Sequence, residues 1–472
     1  MTASSLLSRG SVLAAIIALA GCAVGPDYRR PAVETPAFKE TGDWKPAAPL
    51  DDQARGKWWE NFNDTTLNGL EERIAVSSNT LRAAEAQYRE AEAAAAIVRS
   101  SLLPAIDAQA SASRNRSPQR SGIAPTTSNA FSVGAQAGWE LDLWGRVRRS
   151  VEAANAQAEA SAADLESVRL SLQSTLAQDY FSIRALDTQA KLYARILADN
   201  QRFYQITKNR YDQGVATRAD VAAAESQLKG FQAQAIDLTL QRAQLEHAVA
   251  LLLGEPPASF SLPAAELTVD PSVPPTMVPS DLLQRRPDIG SAERRLAAAS
   301  ADIGVARAGY FPQVTLSGSA GFEGTKLEHL FTTPFEVWSL GASALMPLFD
   351  AGKTRAEVRQ AQAAFDGATA DYRQAVLTAF QEVEDNLAAV RLLADEAKVE
   401  DESVAAARES AAIVLNQYKQ GIVSYLDVVT AQTTLLNAER TAAQLRARRL
   451  NAQVVLFKSV GGNWTDPDGA SR

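Results

Sequence analysis

Hydrophobic positions along this chain keep two different rhythms. Over residues 131–143 every odd position is apolar (Phe131, Val133, Ala135, Ala137, Trp139, Leu141, Leu143), while the even ones are Ser132, Gly134, Gln136, Gly138, Glu140 and Asp142. Strict alternation of this kind predicts a strand with one apolar and one polar face. It returns at Val314, Leu316, Gly318, Ala320 and Phe322, and again at Trp338, Leu340, Ala342, Ala344, Met346 and Leu348. A further short alternating stretch, 106–114, precedes the first of these. Elsewhere the spacing is helical, as in Leu165, Val168, Leu172, Leu176, Tyr180 and Ile183, or Val428, Ala431, Leu435, Ala438, Ala442 and Leu445. Those three- and four-residue steps predict coiled-coil seams. Helices are expected over about 65–102, with Asp64 as N-cap, and over about 145–209 and 352–417. The last two, at about 1.5 Å per residue, would each reach roughly 100 Å.

The whole arrangement occurs twice. YDQGVATRADVAAAESQL from Tyr211 answers YKQGIVSYLDVVTAQTTL from Tyr418, pairing Gly214 with Gly421, Asp220 with Asp427 and Leu228 with Leu435. Gly145 falls on Gly352, and Glu85, Arg99 and Pro104 fall on Glu293, Arg307 and Pro312. An internal duplication explains the match. Because glycine adopts positive φ readily, each copy reads as the tip of a long helical hairpin. The expected organisation is a signal peptide over 1–21 and an extended strap over 22–64. A first repeat over 65–254 has a β-hairpin at about 103–143 and a tip at 211–220. A linker with seven prolines follows over 255–280. The second repeat covers 281–462, with a hairpin at about 311–349 and a tip at 418–427, and 463–472 is a tail. Trp58, Trp59 and Phe62 should pack against the helical body. Arg146, Arg148 and Arg149 read as a solvated face where helix meets strand.

The first residues carry Arg9, an apolar run too short to span a bilayer, and Leu19-Ala20-Gly21 before Cys22. That is the pattern of a lipoprotein export signal, with Cys22 as the acylated N-terminus. Cys22 is the chain's single cysteine, which excludes an internal disulfide. Ala23 follows, and bacterial lipoproteins lacking Asp there usually travel to the outer membrane. A net charge of -8 offers no basic face for nucleic acid. Two histidines, His247 and His329, lie in unrelated contexts. Neither a catalytic set nor metal or cofactor spacing is legible, so the expectation is a protein that is not an enzyme and holds no cofactor.

One two-stranded hairpin per repeat is not stable in water. Strands of this length do suit a tilted membrane crossing, apolar side chains toward lipid and polar ones inward. A lipid-facing sheet must close on itself, because unpaired backbone groups in hydrocarbon cost several kcal/mol each. Four strands cannot close, and eight would leave an interior filled by side chains. Twelve, from three chains, leave room for a channel. The fold class expected is therefore an α+β membrane protein assembled as a homotrimer.

CAVGPDYRRP after the signal, DLLQRRPDIGSAERRLAAASADIGVARAGYFP, and the two tips together resemble the TolC-type outer-membrane efflux proteins, and most closely the NodT-like lipoproteins that serve resistance–nodulation–division (RND) pumps. The resemblance spans essentially the whole mature chain. It implies a trimeric twelve-stranded β-barrel continuous with a twelve-helix periplasmic α-barrel. It also implies a passive duct, in the outer membrane and in contact with its lipid, docked to a periplasmic adaptor and an inner-membrane pump. A tip tyrosine that bonds an aspartate of the first repeat would be Tyr418 on Asp220, and the aspartate ring at the aperture would be Asp427. Gly214, Val215, Gly421 and Ile422 would meet the adaptor. Thr430 and Val423 stand where the best-known member has a second aspartate and an arginine, so part of that lock and ring is missing. Helix capping is the other role open to Asp220 and Asp427. A type I secretion or metal-efflux duct, and a pore-less coiled-coil lipoprotein, are the competing functions.

Overall fold

The computed structural model describes residues 23–31, 57–118, 126–270 and 286–462. Its helices are α1 (Thr65–Ser77), α2 (Asn79–Ser100), α3 (Arg146–Asp212), α4 (Arg218–Leu252), α5 (Pro287–Ala308), α6 (Lys353–Lys419) and α7 (Tyr425–Ser459). The strands are β1 (Ala105–Ser117), β2 (Thr126–Leu141), β3 (Gln313–Gly324) and β4 (Glu336–Leu345). The duplication is literal in length: α3 and α6 have 67 residues each, α4 and α7 have 35 each. The chain divides into two compact units.

One unit holds residues 23–31, 87–162 and 291–373. Its centre is a single antiparallel sheet in the order β1-β2-β3-β4, so the two hairpins join through β2 and β3. Register explains why. Ile106, Ala137, Gly318 and Leu340 lie side by side across the strands, as do Ala108, Ala135, Ala320 and Trp338. One step along, Asp107, Gln136 and Ser319 with Ser339 fall on the opposite face. One face is therefore apolar across all four strands in these middle rows, with Arg114, Arg116 and Glu336 on the same side toward the strand ends, and the other face is polar. Hydroxyl pairs reinforce the polar side, Ser111 with Ser132 at 2.8 Å and Ser319 with Ser339 at 2.9 Å. Gly134 faces Gly321 there, and a Cβ on Gly321 would come within 2.5 Å of the Gly134 Cα. Two strands approach so closely only where both lack side chains.

The strands end earlier than the alternation suggests. β2 stops at Leu141 because Asp142 accepts from the Val147 and Arg148 amides at 2.9 and 2.8 Å, capping α3. Asp350 does the same for α6 through Thr354. The three arginines are not a free solvated face. Arg146 pairs with Glu140, Arg148 with Asp142, and buried Arg149 with Asp27 and Glu152. Asp27 belongs to the strap, which Tyr28 also fastens by donating to Glu293 at 3.0 Å.

The second unit comprises 57–86, 163–270, 286–290 and 374–462 over its described residues. Trp58, Trp59 and Phe62 are buried in a core with Phe181, Leu176, Leu253, Leu450 and Val454, as the aromatic cluster suggests. Asp64 caps α1 and also accepts from the Tyr180 hydroxyl at 2.6 Å. The single helix expected over 65–102 is two, because Ser78 takes an extended conformation (ψ 120°) that breaks the ladder. The proline-rich linker does more than cross a surface. Leu262 and Leu267 enter the core, and the linker backbone is held by Arg184 on Pro263 O (2.7 Å), Arg242 on Leu262 O (2.6 Å) and Asp187 accepting from the Ala265 amide (3.0 Å).

Glu71 occupies a core place on α1 beside Leu67, Leu70 and Ile74, wholly buried, with neither carboxylate oxygen hydrogen-bonded. Burial alone raises its pKa well above the ordinary carboxylate value. A raised folded-state pKa stabilises in acid and is lost as pH climbs through that value, so the wild type weakens as pH rises. Glu71→Leu should raise thermal stability at pH 7.5, by about 1–3 kcal/mol, and flatten the pH dependence. Melting curves of both proteins at pH 5 and pH 8 test this; equal slopes would show that the carboxyl is hydrated or paired.

Candidate functional site

The two tips are built by the same local chemistry. At the end of α3, Gly214 has φ 74°, and the Val215 amide donates to Arg210 O at 2.8 Å. At the end of α6, Gly421 has φ 75°, and the Ile422 amide donates to Gln417 O at 2.9 Å. Each is a glycine-terminated helix whose last carbonyls are satisfied by the turn. The chain then reverses into a capping box: Thr217 with Asp220 opens α4, and Ser424 with Asp427 opens α7. The aspartates are therefore the third helical residues, reaching back to the cap, and not the N-caps themselves.

Both aspartates are exposed, and both carboxyls are held below the usual range. For Asp220 the largest cause is the Thr217 amide at 2.8 Å, then the Thr217 hydroxyl, with Arg210 adding a favourable charge. For Asp427 it is the Ser424 hydroxyl at 2.6 Å, then the Ser424 amide at 2.9 Å. The apolar side chains Val215 and Ile422 stand out at the turns, 63% and 66% exposed, and Leu426 is 70% exposed. Exposed apolar groups at both turns give the tip a surface suited to a protein partner.

Tyr418 does not bond Asp220 in this chain. Its hydroxyl accepts from Arg210 Nη1 at 3.2 Å, and Asp220 is occupied by its cap. Arg210 lies one turn before Gly214, so it reaches Tyr418 while its charge still acts on Asp220. Around Tyr418 the rings of Phe203 and Tyr425 close a triangle, with centroids 5.8 to 6.4 Å apart. Burial pushes the Tyr425 hydroxyl up to about 12, and that hydroxyl has no hydrogen-bond partner. Phe203 and Arg210 belong to the first repeat, Tyr418 and Tyr425 to the second. Sequence reasoning missed Arg210, Phe203 and Tyr425. The available signal was the seven-residue step from Phe203 to Arg210, which puts both on one face of α3. Cys22 lies outside the described residues.

The profile of the outer membrane efflux protein family matches residues 71–255 and 278–462, one match for each repeat. The chain belongs to this family. Over 428 residues it is 34% identical to the pyoverdine export outer membrane protein OpmQ of Pseudomonas aeruginosa, covering 88% of this chain and 89% of that one. The probable efflux pump outer membrane protein TtgC of Pseudomonas putida is 32% identical over 461 residues, 96% of this chain and 94% of the relative. Among solved structures the outer-membrane channel OprN superposes with a TM-score of 0.85 at 32% identity, over 94% of this chain and all of that one.

If the capping boxes hold this efflux protein's tips in shape, Ser424→Ala should loosen the start of α7. The expected loss is about 1 kcal/mol of local stability. Faster amide exchange confined to residues just after the turn would show it; exchange unchanged there would remove the cap from the account.

Proposed function

We propose that this chain is the outer-membrane exit duct of a tripartite RND-type efflux system, passively conducting drugs or other small amphiphiles. Three copies close a twelve-stranded barrel, four strands from each, and their helices line a tunnel into the periplasm. Acylated Cys22 tethers each copy to the outer membrane. An adaptor grips Gly214, Val215, Gly421 and Ile422, and the inner-membrane pump supplies the energy.

The observation that carries this reading is the open sheet whose middle rows share one apolar face. Trp338 and Leu340 on β4 are 72% and 82% exposed within a single chain, on the face where lipid is expected. Relatives named for toluene and pyoverdine export support a duct whose cargo is chosen elsewhere in the assembly.

At the periplasmic end, the resting tip is drawn together by Arg210 on Tyr418 and by the three packed rings. Asp220 acts beside Arg210, and Asp427 from each copy forms the ring at the aperture. Being anionic at neutral pH, that ring attracts cations.

Planar-bilayer recording tests the proposal. The wild type should form discrete channels with a cation preference. Tyr418→Phe, which keeps the ring but removes the acceptor for Arg210, should raise conductance by about twofold or less, since one hydrogen bond is worth about 1 kcal/mol. Asp427→Asn should reduce the cation preference and block by multivalent cations. A wild type with no channel activity in bilayers would contradict the duct. Unchanged selectivity in Asp427→Asn would take that residue out of the aperture.

A further inference from the structure

The buried positions of α3 recur every seven residues at Leu186, Tyr193, Asn200 and Thr207, each 9% exposed or less. The first two are an aliphatic group and a large ring and the last two are polar, so α3 stops supplying apolar side chains at these positions partway to the tip, while Val221, Ala224 and Leu228 of α4 and Val428 of α7 stay buried there. Leu186 and Tyr193 belong to a cluster with Phe231 and Leu238 of α4 and Leu436 of α7. That cluster excludes water and holds the two helical hairpins together. Past it, Asn200 returns its amide to its own helix, donating to Ile196 O at 2.9 Å.

Glu439 of α7 sits where the seam changes character. Its side chain is only 8% exposed. One oxygen accepts from Arg408 of α6 at 2.8 Å, and the other from Arg195 of α3. Arg408 and Glu439 belong to the same hairpin, whereas Arg195 belongs to the other. The carboxylate therefore joins α6 and α7 internally and clasps both to the first hairpin. A buried carboxylate that loses one partner keeps its desolvation penalty, so the clasp resists opening more than an exposed pair does. Farther toward the tip the two hairpins meet through lighter contacts: Gln227 on Thr433 at 3.4 Å, Phe203 against Tyr425, and Arg210 on Tyr418. Glu439 lies 14 positions beyond Tyr425, the first residue of α7, about 21 Å along the helix.

We propose that Glu439 is the fulcrum of tip opening. The hairpins separate tipward of it, where α3 places Asn200 and Thr207 in the seam, and the Arg195–Glu439 pair sets how far the separation runs. This rests on the duct reading above. Glu439 and Arg195 are positioning residues for the gate, touching no cargo.

The test is single-channel conductance of E439Q, R195A, R408A and the R195A/E439Q double variant, with assembly of each checked on unheated SDS gels. E439Q and R195A should each raise conductance at least twofold, and the double variant should exceed neither, since both remove one interaction. R408A should stay at the wild-type value, because Arg408 joins helices of one hairpin. Wild-type conductance in E439Q and R195A, additive effects in the double variant, or opening by R408A equal to that by R195A would each overturn the proposal. Should E439Q fail to assemble, R195A, whose side chain is 59% exposed, carries the decision. A wild type that conducts nothing sinks the duct reading, and the fulcrum with it.

Discussion

Backbone hydrogen bonding along the two outer strands is the constraint on which the rest of this structure depends. Every amide and carbonyl between β1 and β2, β2 and β3, or β3 and β4 can be paired within the chain, but the outer edges of β1 and β4 have no fifth strand. In water such edges are tolerable. Beside hydrocarbon each unpaired group costs several kcal/mol. On the proposed reading, in which the apolar rows of the sheet meet lipid, other copies complete it.

The helical repeats solve a different problem. Each hairpin reverses through a positive-φ glycine followed by a capping box, and the two turns agree closely in hydrogen-bond pattern. What differs is the side chains placed around them. The first repeat offers Phe203 and Arg210, and the second offers Tyr418 and Tyr425 to receive them. Duplication supplied two scaffolds of matching backbone design, and the side chains that differ between them are complementary across the tip. The same logic extends up the seam, where Arg195 of one repeat meets Glu439 of the other.

Much of this was legible in the sequence because it rests on period and backbone demand. Alternation located all four strands, glycine located both tips, and Trp58, Trp59 and Phe62 announced a core. The pairing of β2 with β3 needed tertiary register, which no local pattern states. The break at Ser78 was hidden because serine neither forbids nor demands helix. Arg146, Arg148 and Arg149 looked like surface charge because their acidic partners include a strap residue far away in sequence, Asp27. At the tips, Asp220 and Asp427 stand out in the sequence, and each closes a capping box. The box geometry that occupies them, and the arginine that takes Tyr418 instead, depend on side-chain reach between repeats.

The central claim is that one chain carries only part of a membrane wall. Mass measurement of the intact, detergent-extracted assembly tests it most directly. The account predicts a particle of three chains, each bearing acyl mass at Cys22, which dissociates only on heating. A stable single-chain particle that remains in solution without detergent would contradict it.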